Sequence, residues 1–522
     1  MHYKVCILAA GNSTRTRKVY NLHKALLPIN NKPIISHIIE QFPKNIEILI
    51  AIGYQGEKIK FLVKNSYPDR KIKFLNIKNY NKKKTGPGLT LLECQKFLNC
   101  PFIFTSVDTI IREKISVPKQ NWVMTGKVLD SENYLTLQKK NKNIFFRNKK
   151  IYKIKNKYFN AFSGIAGICD YKNFWEGIQK SKKNPLEVFE GLKNIRNLKI
   201  ISTKWLDTGT VEKYNKTKEI LEEKIGNLQK QDEQIYFINK FVIKFFSKKE
   251  KINNLIKKHI KFKKISPKII KHDENYIIYK YIKGEKLSDV SNPSLFIKFL
   301  FFMKKNFWNK KVKNNYSEIK SLYKNKTFNR LKILFKNTDV LIKNFKINKV
   351  SINNVKNLIL KINWEKLIKE SKTSYCHGDP QPENIIVNKN NIKVIDFRDN
   401  FGKNIFYFDI YYDLAKIHHA LIVTNKMVRQ NKFYIKKNKN NIFISFKKYK
   451  NLTNNVNILK LFCENNNLSF QKVELLSSLI YLNISPLYKT NYSKLLYYYG
   501  VLKLNNFLKN KKNEEYNSNI LQ

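Results

Sequence analysis

Two stretches of this chain have the residue types and spacing for phosphoryl chemistry. The first is LAAGNSTRTRKVYNLHKALLPINNKPI, residues 8–34. An apolar run leads into Gly11, which lets a backbone turn sharply and present amides to phosphate. Asn12, Ser13 and Thr14 continue that loop, and Arg15 offers a fork of donors to phosphate oxygens. Lys24 adds a compact cation for an oxygen that gains charge in a transition state. The second stretch is CHGDPQPENIIVNKNNIKVIDFRDNFG, residues 376–402. Asp379 precedes Asn384 by five residues, and Asp396 follows in an apolar strand pattern. An Asp to orient a hydroxyl and accept its proton, with an Asn and a second Asp as oxygen ligands for Mg2+, is what phosphoryl transfer from ATP to an alcohol requires.

The elements that must position these groups differ between the two halves. Over the first ~220 residues, strand patterns (4–10, 46–54, 71–77, 101–110) alternate with helical ones (32–42, 57–66, 88–98). Such alternation predicts right-handed crossovers and a mainly parallel sheet, with ligands beyond the strand C-termini. A polar helix and connector at 215–233 places a boundary near 225–232, giving domains at 1–225 and 232–522. The second begins with two β-rich runs in 234–251, joined like a hairpin at Asn239-Lys240. Another strand pattern follows at 276–289, and most segments from 293 onward read as helical. No internal repeat is present.

Composition sets outer limits. The chain has 522 residues, 42% hydrophobic and 13% aromatic, which is globular composition with length for two to four domains. The formal net charge is +62. The cations are mostly Lys, in a chain rich in Asn, Ile, Tyr and Phe but holding only 16 Gly and 13 Pro, the set that AT-rich codons favour. Codon bias thus loads a surface with Lys, and nucleic acid is not the expected partner, although the charge attracts nucleoside triphosphates. The six Cys are scattered without CxxC spacing, as reduced cytoplasmic thiols are. No apolar run approaches the ~18 residues of a membrane span; the best, LFIKFLFFM (295–303), is broken by Lys298.

The order Gly, Arg, Lys in residues 8–34, followed by Leu-Leu-Pro-Ile and Lys-Pro, resembles the sugar-phosphate and phosphocholine nucleotidyltransferase family. Its signature is close to L-A-A-G-x-G-[ST]-R followed by P-K-x-L-[LV]-P. The resemblance covers about residues 4–222 and departs at Ser13, in place of the second glycine, and at His23, in place of the proline before the lysine. It implies a Rossmann-like domain, with base and ribose near Gly86 and Gly88 of KTGPGLTLLE (84–93). It also implies metal binding by Asp108 and by Asp207 of WLDTGTVEKY (205–214). Small residues in AFSGIAGI (161–168) would leave room for the acceptor.

The spacing around 376–399 resembles the aminoglycoside phosphotransferase and choline kinase family, with HGD and IDF where protein kinases show HRD and DFG. That likeness covers about residues 232–500 and implies a two-lobed, protein-kinase-like α+β domain. Lys244 in FVIKFF takes the part of the lysine that holds ATP phosphates, with a Glu partner from the next helix, where Glu250 is the nearest acid. Asp409 and Asp413 in FDIYYDLAKIHHAL (408–421) would line the acceptor pocket, and His418 and His419 are read as structural.

The expectation is an α/β protein with two enzymatic domains in series. One phosphorylates a small alcohol or sugar, such as a choline-like compound. The other couples the phosphomonoester to a nucleotide from a second NTP, CTP ahead of UTP, to give an activated precursor for surface polysaccharide or lipid decoration. The alternatives are a basic RNA- or membrane-associated binding protein with enzyme-like domains, and an antibiotic-modifying phosphotransferase. The acceptor and the oligomeric state are not set by the sequence.

Overall fold

The computed structural model describes residues 2–16, 22–78, 80–81, 86–129, 131–140, 143–147, 158–181, 186–221, 233–238, 240–246, 249–274, 276–389, 391–488, 491–510 and 516. The boundary expected near 225–232, Lys84 and Thr85, and the hairpin residue Asn239 lie outside them. The chain divides into two compact units. One comprises Met1–Glu223 with Lys230–Ser247, the other Lys224–Gln229 with Lys248–Gln522.

The first unit is built on parallel strands, the inner ones mostly buried on both faces and the edge strand only partly buried. They are β1 (Lys4–Ala9), β2 (Glu47–Ile52), β3 (Ile72–Asn76) and β4 (Phe102–Ser106), side by side in the order β3-β2-β1-β4. All three pairings are parallel, for example Ile7 with Ile50 and Ile7 with Thr105. This is the Rossmann-like order, which reverses at β1 and opens a crevice beyond the C-terminal ends of β1 and β4. The helix α1 (Ile34–Ile39) follows Pro33, whose φ of −67° suits entry into a helix. In α2 (Gly56–Ser66), Ile59, Leu62, Val63 and Ser66 are buried at helical spacing. The helix α3 (Pro87–Glu93) leads towards β4.

Beyond β4 the sheet turns mixed. Strand β5 (Thr109–Ile111) leaves it, β6 (Trp122–Val128) pairs antiparallel with β7 (Phe159–Ile168), and β7 runs antiparallel to β4. Strand β8 (Lys199–Ser202) lies parallel to β6, and β9 (Trp205–Asp207) pairs with β5 before α4 (Val211–Leu221). Two glycines of β7 are required by the protein's own packing. A Cβ on Gly167 would fall 2.2 Å from the Trp122 ring. Gly164 has φ +91° at an irregularity between Phe162 and Ala166.

The hairpin β10 (Glu233–Ile238) and β11 (Phe241–Phe246), expected to open the second domain, clusters with the first unit. Phe237 N–H donates to Asn31 O at 2.9 Å, and the Tyr236 hydroxyl donates to Leu26 O.

The second unit opens with α5 (Lys249–Lys261) and includes α6 (Lys326–Asn337). Strand β12 (Thr373–Tyr375) pairs with β15 (Tyr407–Asp409), and the hairpin β13 (Ile385–Asn388) and β14 (Asn391–Val394) lies between them in sequence. The helix α7 (Ile410–Ile422) is nearly all buried and packs against α8 (Phe470–Ile484). A four-stranded sheet from 343–354 and 433–446 departs from the helical reading of this region. Its strands are short, polar on one face and joined by turns without glycine, so they carry no glycine turn signal. Among the described residues no helix is long and apolar enough to cross a membrane.

Asp409 anchors this unit. Its carboxylate lies 3.1 Å from Lys472 Nζ, with both side chains fully buried, and accepts from the Tyr323 hydroxyl at 2.9 Å and from Lys372 N–H at 3.0 Å. Removing one member of a buried pair strands the other charge. Lys472→Met is therefore expected to destabilise the unit by about 3–5 kcal/mol. Lys472→Met combined with Asp409→Leu should lose less than the single variant, with both read by urea denaturation.

Candidate active sites

In the first unit, the loop after β1 and the 3-10 turn at Lys24–Leu26 are tied together by His23. Its Nδ1 accepts from Ala25 N–H at 3.0 Å, so Nε2 carries the hydrogen and donates to Gly11 O, also at 3.0 Å. Its own N–H donates to Gln55 Oε1 at 2.7 Å, a bond that proline could not make. Its φ of −62° is nonetheless proline-like. Burial, helped by the Lys24 charge, brings the His23 pKa down to about 3, against the opposing pull of Gly11 O and Asp108.

The sharp turn expected at Gly11 falls instead at Ser13, with φ +51°, while Gly11 avoids the left-handed region. The second glycine of the family signature is thus replaced by a serine in a backbone conformation that glycine takes at least cost. Ser13 Oγ accepts from Lys24 N–H at 3.1 Å. A Cβ added at Gly11 would meet no atom of the described residues within 4 Å. Asn12 is half-buried, and Thr14 and Arg15 are exposed. Gly53, which the sequence reading passed over, lets Tyr54 N–H reach Ala10 O at 3.3 Å, because a Cβ there would lie 2.4 Å from that carbonyl.

Lys24 Nζ lies 2.5 Å from Asp108 Oδ2. Ser106 Oγ donates to Asp108 Oδ1 at 2.5 Å. Burial alone would raise the Asp108 pKa. The Lys24 charge and the hydrogen bonds from Lys24 and Ser106 outweigh it and hold the group at about 2. Asp207 reaches the same place from β9, because Thr208 N–H donates to Asp108 O at 3.0 Å. Asp207 Oδ2 accepts from Tyr134 at 2.6 Å and lies 3.1 Å from Lys213 Nζ. A side chain built on Gly209 would meet Asp207 Oδ1 at 3.1 Å and Asp108 Oδ2 at 3.2 Å. The two carboxylates therefore flank one space that a glycine keeps clear. Two carboxylates beside the loop after β1 fit Mg2+, which takes few protein carboxylates and leaves other positions to other oxygen ligands and water. Among the described residues no group of three or more His, Cys, Asp or Glu forms a metal cluster.

Gly86 is extended at the start of α3. The close approach at Gly88 is made by protein backbone: a Cβ there would lie 2.7 Å from Leu186 O, and Gly88 N–H donates to that oxygen at 2.9 Å. Lys244 lies on β11 of this unit and is buried, with Nζ 3.6 Å from Glu233 Oε1 on the neighbouring strand.

In the second unit the loop His377-Gly378-Asp379 hangs on Asp413. Its Oδ2 accepts from His377 N–H at 2.9 Å and its Oδ1 from Gly378 N–H at 2.7 Å, and Trp308 Nε1 donates at 3.2 Å. Burial raises Asp413 to about 6 against these hydrogen bonds. Asp409 and Asp413 are thus buried supports, not a lining for an acceptor. His418 and His419 are buried too, each brought to about 3 chiefly by burial.

Gly378 is at φ +87°, and a Cβ on it would lie 2.4 Å from that of Arg398. Asn384 Nδ2 donates to Asp379 O at 2.9 Å, which leaves its Oδ1 for a ligand. Ile395 N–H donates to Asn384 O at 2.9 Å and so brings the next residue, Asp396, beside Asn384. Asp396 has φ +59°, an uncommon backbone for a non-glycine residue and one that collects at functional sites. Lys416 Nζ lies 2.9 Å from Asp379 Oδ1. Burial lowers the Lys416 pKa, but Asp379 and Tyr412 more than restore it and the net shift is upward. The partnerships of Lys416 and Arg398 carry no sequence signal in a chain where cations are everywhere.

The neutral His23 makes the first unit sensitive to acid. Its folded pKa lies below the unfolded one, so its contribution is complete above about pH 6.5 and is lost as pH falls towards the folded value. His23→Gln is expected to flatten the stability profile between pH 6.5 and 4 by up to roughly 1.4 kcal/mol per pH unit. Denaturant unfolding across that range would show it, and an unchanged slope would mean that His23 protonates in place.

No family model matches the chain. The bifunctional protein GlmU of Methanococcus maripaludis is 28% identical over 179 residues, 31% of this chain and 42% of that protein. The bifunctional protein GlmU of Methanococcus vannielii is 30% identical over 200 residues, 36% of this chain and 46% of that protein. The chain therefore spans less than half the length of the curated relatives it matches. Among solved structures, the CTP:phosphocholine cytidylyltransferase LicC from Streptococcus pneumoniae has 20% identity and a TM-score of 0.35, covering 42% of this chain and 100% of that one. A putative glucose-1-phosphate thymidylyltransferase from Bacillus anthracis has 21% identity and a TM-score of 0.35, covering 44% of this chain and 98% of that one.

Proposed function

We propose that the first unit is a nucleotidyltransferase acting on a small phosphomonoester, and that the second is a phosphotransferase that makes such a monoester from an alcohol or sugar and ATP. The observation that carries the reading is the space beside Gly209. Two carboxylates flank it, one of them held ionised by Lys24, at the end of strands whose loop is open to a phosphate chain. Asp108 and Asp207 would hold Mg2+ there, and the metal would offset phosphate charge. Gly11, Asn12, Ser13, Thr14 and Arg15 would hold the triphosphate. An oxygen of the phosphomonoester attacks the α-phosphorus, the bond to the bridging oxygen of the β-phosphate breaks, and pyrophosphate leaves. Lys24 would meet the charge that develops. CTP is the favoured nucleotide and UTP the next.

In the second unit Asp379 would take the acceptor proton, and Asn384 and Asp396 would hold Mg2+. Because the product of one reaction belongs to the substrate class of the other, the two units form a short sequence that yields a nucleotide-activated building block.

A pyrophosphate-release assay tests this, with ATP, each of CTP, UTP, GTP and dTTP, and a pool of choline and sugars. Release is expected with one nucleotide–acceptor pair and should fall at least about 100-fold in Asp108→Ala and in Asp379→Ala. Supplying the phosphomonoester directly should rescue Asp379→Ala but not Asp108→Ala. Release that survives Asp108→Ala sinks the assignment of the first unit.

A further inference from the structure

Each of the two carboxylates that flank the space at Gly209 is already met by a lysine. Lys24 Nζ lies 2.5 Å from Asp108 Oδ2, and Lys213 Nζ lies 3.1 Å from Asp207 Oδ2. The two lysines are tethered differently. Lys24 belongs to the turn that Ser13 and His23 tie to the loop after β1. Lys213 projects from the first turn of α4. It donates to the Tyr134 hydroxyl, and its Nζ lies 4.2 Å from the centre of the Tyr134 ring. Tyr134 donates in turn to Asp207 Oδ2 at 2.6 Å, and its ring meets Trp205 edge-on with centres 5.1 Å apart. Asp207, Lys213 and Tyr134 therefore form a closed triangle in which the lysine and the tyrosine share one carboxylate oxygen. The other oxygen, Oδ1, accepts from Gly209 N–H at 2.7 Å.

This triangle bears on metal binding because Asp207 would also be a Mg2+ ligand. An ammonium group held at a carboxylate oxygen repels a divalent cation that approaches the same oxygen. A tyrosine hydroxyl carries no such charge, so the obstacle is Lys213 and not Tyr134. The Lys213 side chain is 28% exposed. A partly exposed lysine on a flexible stem loses little on leaving a carboxylate when another anion takes that place. The phosphate of a phosphomonoester is such an anion, and the reaction proposed for this unit brings one to the α-phosphorus. Lys24 is tied to the loop that would hold the triphosphate, so the acceptor's phosphate falls to Lys213.

We propose that Lys213 is a built-in counter-cation of the metal site, which opposes Mg2+ at Asp207 until the phosphate of the acceptor draws its ammonium group away. The proposal rests on the nucleotidyltransferase reading of the first unit. Metal and phosphomonoester then bind cooperatively, and each strengthens the other by the same factor. The site is thereby completed by the acceptor and not by the metal alone.

Calorimetry of the full chain with Mn2+, in the absence of nucleotide, tests the exchange. Asp207→Asn, measured in parallel, marks which binding belongs to the first unit, because it leaves the carboxylates of the second unit intact. Lys213→Met and Lys213→Gln are each expected to bind Mn2+ at the first-unit site at least tenfold more tightly than the native chain. Lys213→Arg keeps the charge and should stay as weak as the native chain, and Asp207→Asn added to Lys213→Met should abolish the gain. At least one of inorganic phosphate, glucose 1-phosphate and phosphocholine should tighten Mn2+ binding to the native chain at least tenfold, and none should tighten it in Lys213→Met. Equal or weaker Mn2+ binding in both neutral variants overturns the proposal and leaves Lys213 as a support for Asp207. Absence of tightening by all three phosphates, or equal tightening in Lys213→Met, overturns it as well, by removing the exchange. Pyrophosphate release that survives Asp207→Asn removes the nucleotidyltransferase reading itself, whatever the calorimetry shows.

Discussion

A charge taken out of water must find a partner, and each unit of this protein is arranged around an acid for which it has. Asp108 sits beneath the open loop of the first unit and is paired with Lys24 at 2.5 Å. That pair ties the end of β4 to the turn at Lys24–Leu26, and His23 ties the turn back to the loop after β1. In the second unit Asp413 gives one oxygen to each of two successive backbone amides and thereby shapes the loop that presents Asp379. Cutting either anchor would leave both a stranded charge and an unsupported loop.

The two anchors differ in kind. Asp108 is at the surface of its crevice and shares a space with Asp207, so it supports the loop and also faces whatever enters. Asp413 is fully buried and faces only protein. Sequence alone cannot separate such roles, because an Asp near a predicted helix start looks the same whether its carboxylate turns outward or inward. The reading of Asp409 and Asp413 as pocket residues failed for that reason.

Much of the first unit was legible. Its inner parallel strands are β-branched and apolar runs, and the loop residues Gly11 to Arg15 follow β1 as the alternation of strands and helices requires. The misplaced turns share one cause. Glycine marks positive φ in a sequence, and this chain holds few glycines. The left-handed position of the loop after β1 is Ser13, and the turn between the strands at 343–347 and 350–354 is Asn348-Lys349, with φ of 45° and 70°. Gly88, read as space for a ligand, is instead where two backbones touch. In each case the sequence shows a residue type but not the neighbour that fixes its conformation.

Those left-handed turns change the unfolded chain as well as the folded one. Thirteen described residues other than glycine have positive φ, and seven of them are Asn, at positions 30, 31, 197, 344, 348, 431 and 467. Asn tolerates this region better than other side-chain-bearing residues but still meets some strain there. In return, a denatured chain with Asn at a turn explores fewer backbone states than one with Gly, so less entropy is lost when the turn forms. The chain thus carries in its folded loops a strain that a glycine-rich relative would lack, and lessens in its denatured ensemble a disorder that such a relative would keep.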